Sequence, residues 1–217
     1  MYKVNHDMRS PYSYMIISML ILGVLLSAIA MWSDTLKING VVKTGDVDIK
    51  FIGTPRVYEG NEYGKPWVAN CSASLYEVQN EDLSNPAGDN DLELVITINN
   101  AYPCYYCKVH DVSVKNTGSV PVKLSVTVYA NNTLCERKID AWGQYYYACD
   151  VDNDGKADIV LWGCFTSLEN LQLHPGESAS FSVDTHVEQD AKQSSIYNIE
   201  ILIRGIQWNE APLGSLG

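Results

Sequence analysis

Positive charge is scarce in this chain: 15 Lys and Arg stand against 26 Asp and Glu, a formal net charge of −11. Such a surface repels nucleic acid and anionic lipid and suits soluble secretion or cation binding. The marks of common enzyme classes are missing too. There is no His-Glu-x-x-His zinc motif and no Gly-x-Ser-x-Gly nucleophile turn, while His110, His174 and His186 are scattered. Without a nucleophile, its base or a catalytic metal motif, no enzymatic activity is expected. No linker-like or low-complexity stretch divides residues 31–217, and no amphipathic helical pattern interrupts them. One domain with a full core is the economical expectation.

The long apolar run is confined to the N-terminus. Lys3 and Arg9 precede Met15–Met31, broken only by Ser18, Gly23 and Ser27, and Ala28-Ile29-Ala30 gives the small-x-small pattern of a signal peptidase site. We expect a signal peptide over residues 1–30 and a secreted chain that meets the membrane only during export. A retained anchor is the competing expectation, because the run is near the lower length limit of a span. A pilin-like retained helix fits less well, since Met8-Arg9-Ser10-Pro11 lacks the usual small residue at a processing site. Losing residues 1–30 removes Lys3, Arg9 and Asp7, so the formal charge moves from −11 to −12.

Cys71, Cys104, Cys107, Cys135, Cys149 and Cys164 all follow that segment. An even count in an exported chain points to disulfides, with the pairing open. Cys104-Tyr-Tyr-Cys107 has neither a second such pair for zinc nor a βαβ context for thioredoxin chemistry. Asn70-Cys71-Ser72 and Asn131-Asn132-Thr133 make Asn70 and Asn131 glycosylation candidates in the same compartment.

Alternation dominates the rest. Asp46–Ile52 alternates charged and apolar residues; Leu92, Leu94, Ile96 and Ile98 share one face; so do Val120, Val122, Leu124, Val126 and Val128. Between Val109–Asn116 and Val120–Tyr129 a hairpin is expected, with Gly118 supplying a positive φ. Phe181, Val183, Thr185 and Val187 alternate with Ser180, Ser182, Asp184 and His186, and Ile199, Ile201, Ile203 and Gly205 repeat the pattern. Residues 53–88, rich in Gly and Pro, read as loops with short edge strands. The expectation is an all-β sandwich over residues 46–210, most simply a jelly roll, with a loose tail at 211–217.

Residues 31–45 stand apart as an extended arm. Leu36, Ile38 and Gly40 point one way and Lys37 and Asn39 the other, the period of a half-buried strand. A lone strand must pair, and the edge of a neighbouring copy is one partner. Burying Trp32, Leu36, Ile38 and Val42 would contribute at most about 6–12 kcal/mol before ordering and association costs. A contact of that kind is head-to-tail, does not close, and propagates. The alternative is that the arm pairs within its own domain, leaving a calcium-dependent adhesin or surface-layer module that does not polymerise.

Asp150-Val-Asp152-Asn-Asp154-Gly155-Lys156-Ala-Asp158 is the sharpest local motif. Carboxylates at positions one, three, five and nine, the turn glycine at six and the main-chain carbonyl of Lys156 at seven are oxygen ligands for one hard cation. Position twelve is Leu161, so it is not an EF-hand. Calcium is the expected, structural cofactor. Cys149 and Cys164 bracket the loop, and a bridge between them would hold its stem together.

Trp32-Ser33-Asp34-Thr35 after the apolar segment, Gly45-Asp46-Val47-Asp48-Ile49, and Ile206-Gln207-Trp208-Asn209 together resemble the TasA/camelysin-type matrix fibre proteins. The middle, Asn100 to Cys107 with Asn116-Thr117-Gly118 and Pro121-Val122, is similar to the archaeal relatives that build bundling pili. The resemblance implies a jelly-roll subunit of an extracellular biofilm filament. In such a filament the arm of one copy, Trp32 to about Val42, completes the sheet of the next as a donor strand. Filaments then bundle laterally, and Trp208 lies in the last strand. Camelysin implies a metalloprotease for part of that family, but its zinc motif is missing here. The six cysteines also depart from the bacterial members and fit a chain from a hot environment.

Overall fold

A computed structural model describes residues 11–30, 45–60, 68–79 and 90–208. The chain falls into two units, residues 1–43 and 44–217. The first holds helix α1 (Pro11–Ala30), with no acidic residue in its first turn and no basic one in its last. Its 20 residues carry no Asp, Glu, Lys or Arg at all. At about 1.5 Å per residue such a helix reaches roughly 30 Å. Side chains are described only for residues 12–25, and among the described residues no helix is long and apolar enough to cross a membrane. The arm with Trp32, Leu36, Ile38 and Val42, and the tail at 211–217, lie outside the described residues.

The second unit is an all-β sandwich. Its described strands are β1 (Ile49–Gly60), β2 (Asn70–Gln79), β3 (Asn90–Ala101), β4 (Tyr106–Asn116), β5 (Val122–Ala130) and β6 (Thr133–Leu134). Then follow β7 (Glu136–Ile139), β8 (Tyr145–Cys149), β9 (Ile159–Trp162), β10 (Gln172–Leu173), β11 (Ser178–Val187) and β12 (Ser195–Gln207). One sheet runs β1-β4-β11-β9-β8-β7; the other runs β10-β5-β12-β3-β2, with β6 beside β5. Every pairing is antiparallel. Two pairings are nested in sequence and lie in opposite sheets: β3 with β12, and β4 with β11.

The alternation explains which faces meet. Leu92, Leu94, Ile96 and Ile98 of β3 and Ile199, Ile201 and Ile203 of β12 are fully buried. They face Val109, Val112 and Val114 of β4, Val183 of β11, and Ile159 and Leu161 of β9, all at 1% exposure or less. At roughly 1.5–3 kcal/mol per buried aliphatic side chain, this shared interior outweighs any single polar contact. Cys71 of β2 is bonded to Cys107 of β4, so one disulfide joins the two sheets.

Three expectations need correction. Residues 53–60 continue β1, and 70–79 form the ten-residue β2, so the stretch expected to be loops with short strands carries long ones. Gly53 and Pro55 lie inside β1, which absorbs them at a bulge. Its register with β4 slips between Gly53 and Arg56, where Gly53 (φ 98) lies against the Asp111 carbonyl and Asp111 has φ 63. Gly118 is not among the positive-φ residues. A Cβ there would collide with the Asp46 carbonyl and come within 2.7 Å of the Asp48 nitrogen, so the position needs a missing side chain and not a special dihedral. Trp208 falls just past β12 in a turn, half exposed, its N–H donating to the Pro121 carbonyl at 3.3 Å.

Gly118→Ala should therefore destabilise the domain by about 1–3 kcal/mol, as overpacking against rigid backbone does. Urea unfolding measures this; an unchanged midpoint would mean that the turn and the start of β1 are free to separate.

Candidate functional site

Three features of the sandwich can carry chemistry or assembly: an acidic loop, an open edge and a surface cleft. The acidic loop joins β8 to β9. Asn153 (φ 60) and Gly155 (φ 90) reverse the chain tightly, and the Asp158 N–H donates to the Cys149 carbonyl at 2.8 Å to close the stem. Asp150 accepts from the N–H groups of Asp154 (3.1 Å) and Gly155 (2.8 Å). Asp158, 4% exposed, accepts from the Val151 N–H at 2.8 Å.

Carboxylate oxygens of Asp150, Asp152 and Asp158 lie within 4.8 Å of one another. Asp154 is not part of that group; its carboxylate accepts from the Lys156 N–H at 2.9 Å. The Lys156 ammonium pairs outward with Asp190 at 3.2 Å. Burial pushes the Asp158 carboxyl up from its ordinary value. The Val151 N–H works against that shift, and the charges of Asp152 and Asp150 add to it. Three convergent carboxylates, one of them buried, are hard oxygen donors of the kind that Ca²⁺ and Mg²⁺ take.

The cysteines sort differently from expectation. Cys149 is bonded to Cys135, not to Cys164, because the start of β7 lies beside the end of β8. Cys164 is free and exposed in the 3₁₀ turn Cys164–Leu168, and Cys104 is free and half-buried. Cys104 and Cys107 do not form a redox pair, since Cys107 is spent on Cys71. Asn70 is exposed at the start of β2. Asn131 is exposed as well, but its side chain is engaged with β12, donating to the Ile196 carbonyl at 3.2 Å and accepting from the Asn198 N–H at 2.8 Å.

The open edge lies where β1 and β2 border the sandwich. Each pairs on one side only among the described residues, β1 with β4 and β2 with β3. Their inward apolar residues Phe51, Val57, Ala73 and Leu75 pack on the core yet are only partly buried. No single position in the sequence signals that; it emerges from which strands end up outermost.

The tyrosines divide. Tyr102 and Tyr105 pack edge to face at 5.4 Å, with Tyr105 buried. Tyr147 stacks on Phe165 at 5.6 Å inside the core. Tyr145 and Tyr146 instead help to line a cleft of about 770 Å³ on the outer face of the β1-to-β7 sheet. Sequence reading did not assemble that cleft, because its parts come from β4, the β7–β8 turn, β8, β9, β11 and the 3₁₀ turn.

No protein-family model, curated protein or solved structure matches the chain.

A carboxyl raised on folding favours the native state at low pH, and that advantage is lost as pH rises through the folded pKa. In chelator, Asp158→Asn should hence melt no lower than the unsubstituted chain near about pH 7, and the two should converge below the carboxylate range. Melting curves across pH measure this. A variant markedly less stable at neutral pH in chelator would show that Asp158 is needed as a charged partner of the loop backbone.

Proposed function

We propose that this protein is the structural subunit of an extracellular filament, a jelly-roll domain that polymerises head-to-tail by accepting the N-terminal arm of another copy. The observation that carries the reading is the open edge. Phe51, Val57, Ala73 and Leu75 stay partly exposed along β1 and β2, each strand with one unpaired side among the described residues. An added strand would satisfy main-chain groups and cover those side chains together. The resemblance of Trp32-Ser33-Asp34-Thr35 and Gly45–Ile49 to matrix fibre proteins supports the same assignment, as does the nesting of β3 with β12 and β4 with β11. Two disulfides fit an oxidising compartment outside the cell. On this reading α1 belongs to the export signal, cleaved after Ala30, and lateral bundling follows from the finished filaments.

Deleting residues 31–42 should abolish filaments in electron micrographs while leaving a soluble, folded domain, and mass spectrometry of native filaments should find a chain beginning near Met31. Filaments that survive the deletion would refute donor-strand assembly.

We also infer that the loop of Asp150, Asp152 and Asp158 holds a structural calcium ion, with the Lys156 carbonyl as a further oxygen donor. Calcium at about a hundredfold excess over Kd should add about 2.7 kcal/mol of stability. That gain should vanish in Asp152→Asn, whose exposed side chain can change without disturbing the core. An equal calcium response in the variant would leave the loop a plain acidic turn.

A further inference from the structure

We propose that the outer-face cleft binds a neutral oligosaccharide. Its floor is a cross-strand row: Lys108 of β4 stands opposite Asp184 of β11, and Asp184 stands opposite Trp162 of β9. The β7–β8 turn forms one wall through Asp140 and Gln144, and the 3₁₀ turn forms the other through Thr166 and Ser167. Gly163 keeps the floor low. With φ 119, it lies where a Cβ would approach the Ser182 carbonyl to 2.7 Å and an Asp184 carboxylate oxygen to 3.0 Å. About 770 Å³ is within the usual size of small-ligand sites.

The occupant follows from what the lining groups already do. The Asp184 carboxylate, 6% exposed, accepts from the Tyr106 hydroxyl and from the Lys108 ammonium at 3.2 Å. Asp140 accepts from the N–H groups of Trp142 (2.9 Å) and Gln144 (2.8 Å). Both carboxylates are thus held in place and their charge is partly met, so the cleft offers a cation little that is free. An anion would meet two carboxylates and one lysine already committed, on a chain of net charge −11. A peptide strand has nothing to pair with on the floor, since β9 and β11 are hydrogen-bonded on both sides.

What is left is apolar area beside polar groups whose positions are already fixed. Trp162 is 38% exposed and Tyr145 42%, the latter with the Arg137 guanidinium 3.7 Å over its ring. Trp142, 85% exposed, stands at the tip of the turn that forms one wall. A pyranose ring has the matching character: C–H faces that stack on aromatic rings, and an equator of hydroxyls that donate to carboxylates and accept from Lys and amide groups. Ligand groups meet side chains whose positions are already fixed, which lowers the ordering cost of binding.

Isothermal titration of the intact protein with cellohexaose, mannohexaose and chitohexaose, against hyaluronan hexasaccharide as the anionic comparator, tests this. At least one neutral probe should bind and the anionic one should not. Trp162→Ala should weaken that binding at least tenfold with the melting temperature checked in parallel. Ser182→Arg, which fills the cleft from an outward position on β11 and leaves every aromatic in place, should abolish it. Absence of binding by all three neutral probes at millimolar concentration, equal binding of the anionic one, or affinity unchanged in Ser182→Arg would each overturn the proposal.

Discussion

One buried amide ties the two sheets together at one end of the sandwich. Asn116, wholly inside the domain, donates from its side chain to the carbonyls of Val120 (2.8 Å) and Leu173 (3.0 Å) and accepts from the Gly118 N–H (2.9 Å). Its backbone takes an N–H from Gly176 and gives one to Glu177. One residue therefore joins the turn between β4 and β5 to the strand β10 and to the turn before β11, and so ties both sheets at one end. Leaving its partners unsatisfied would cost about 1–3 kcal/mol for each buried group.

That knot also fixes where the chain enters the domain. Thr117 and Gly118 donate to the Asp48 carbonyl, Ser119 donates to that of Asp46, and the Asp46 N–H returns a bond to the Ser119 hydroxyl at 2.8 Å. Val47, 3% exposed between them, anchors the same stretch in the core. If the arm serves another copy, as proposed, it needs a rigid root, because freedom at the root would add to the entropy lost on association. The absent side chain of Gly118 is what lets the two backbones come this close.

How much of this could be read beforehand depends on whether the signal was local. The cores of β3, β5, β11 and β12 follow from strict alternation, since period two places Leu92 to Ile98 or Ile199 to Ile203 on one face whatever their partners. The long β1 was hidden, because the bulge at Gly53 and Asp111 is a property of two strands and shows in one only as scattered glycine and proline. Disulfide pairing was equally out of reach. Cys149 finds Cys135 through the register of β7 with β8, a relation that spacing cannot supply. Asp184 looked like an outward-facing strand carboxylate and is nearly buried, because Tyr106 and Lys108 on the adjacent β4 close over it.

The acidic loop and the cleft share a scaffold, and this bears on how one could influence the other. Asp150 and Asp158 sit at the two stems of the turn between β8 and β9, and those strands also carry Tyr145, Tyr146 and Trp162. Asp158 also accepts, through its carbonyl, the Glu188 N–H at 2.8 Å just beyond β11, the strand that bears Asp184. A cation drawing the three carboxylates together would tighten the turn at the far end of the hairpin whose near end lines the cleft. The Cys135–Cys149 bond restrains that hairpin from the other side. Any coupling is reciprocal, so a ligand that prefers the tightened hairpin must raise cation affinity by the same factor.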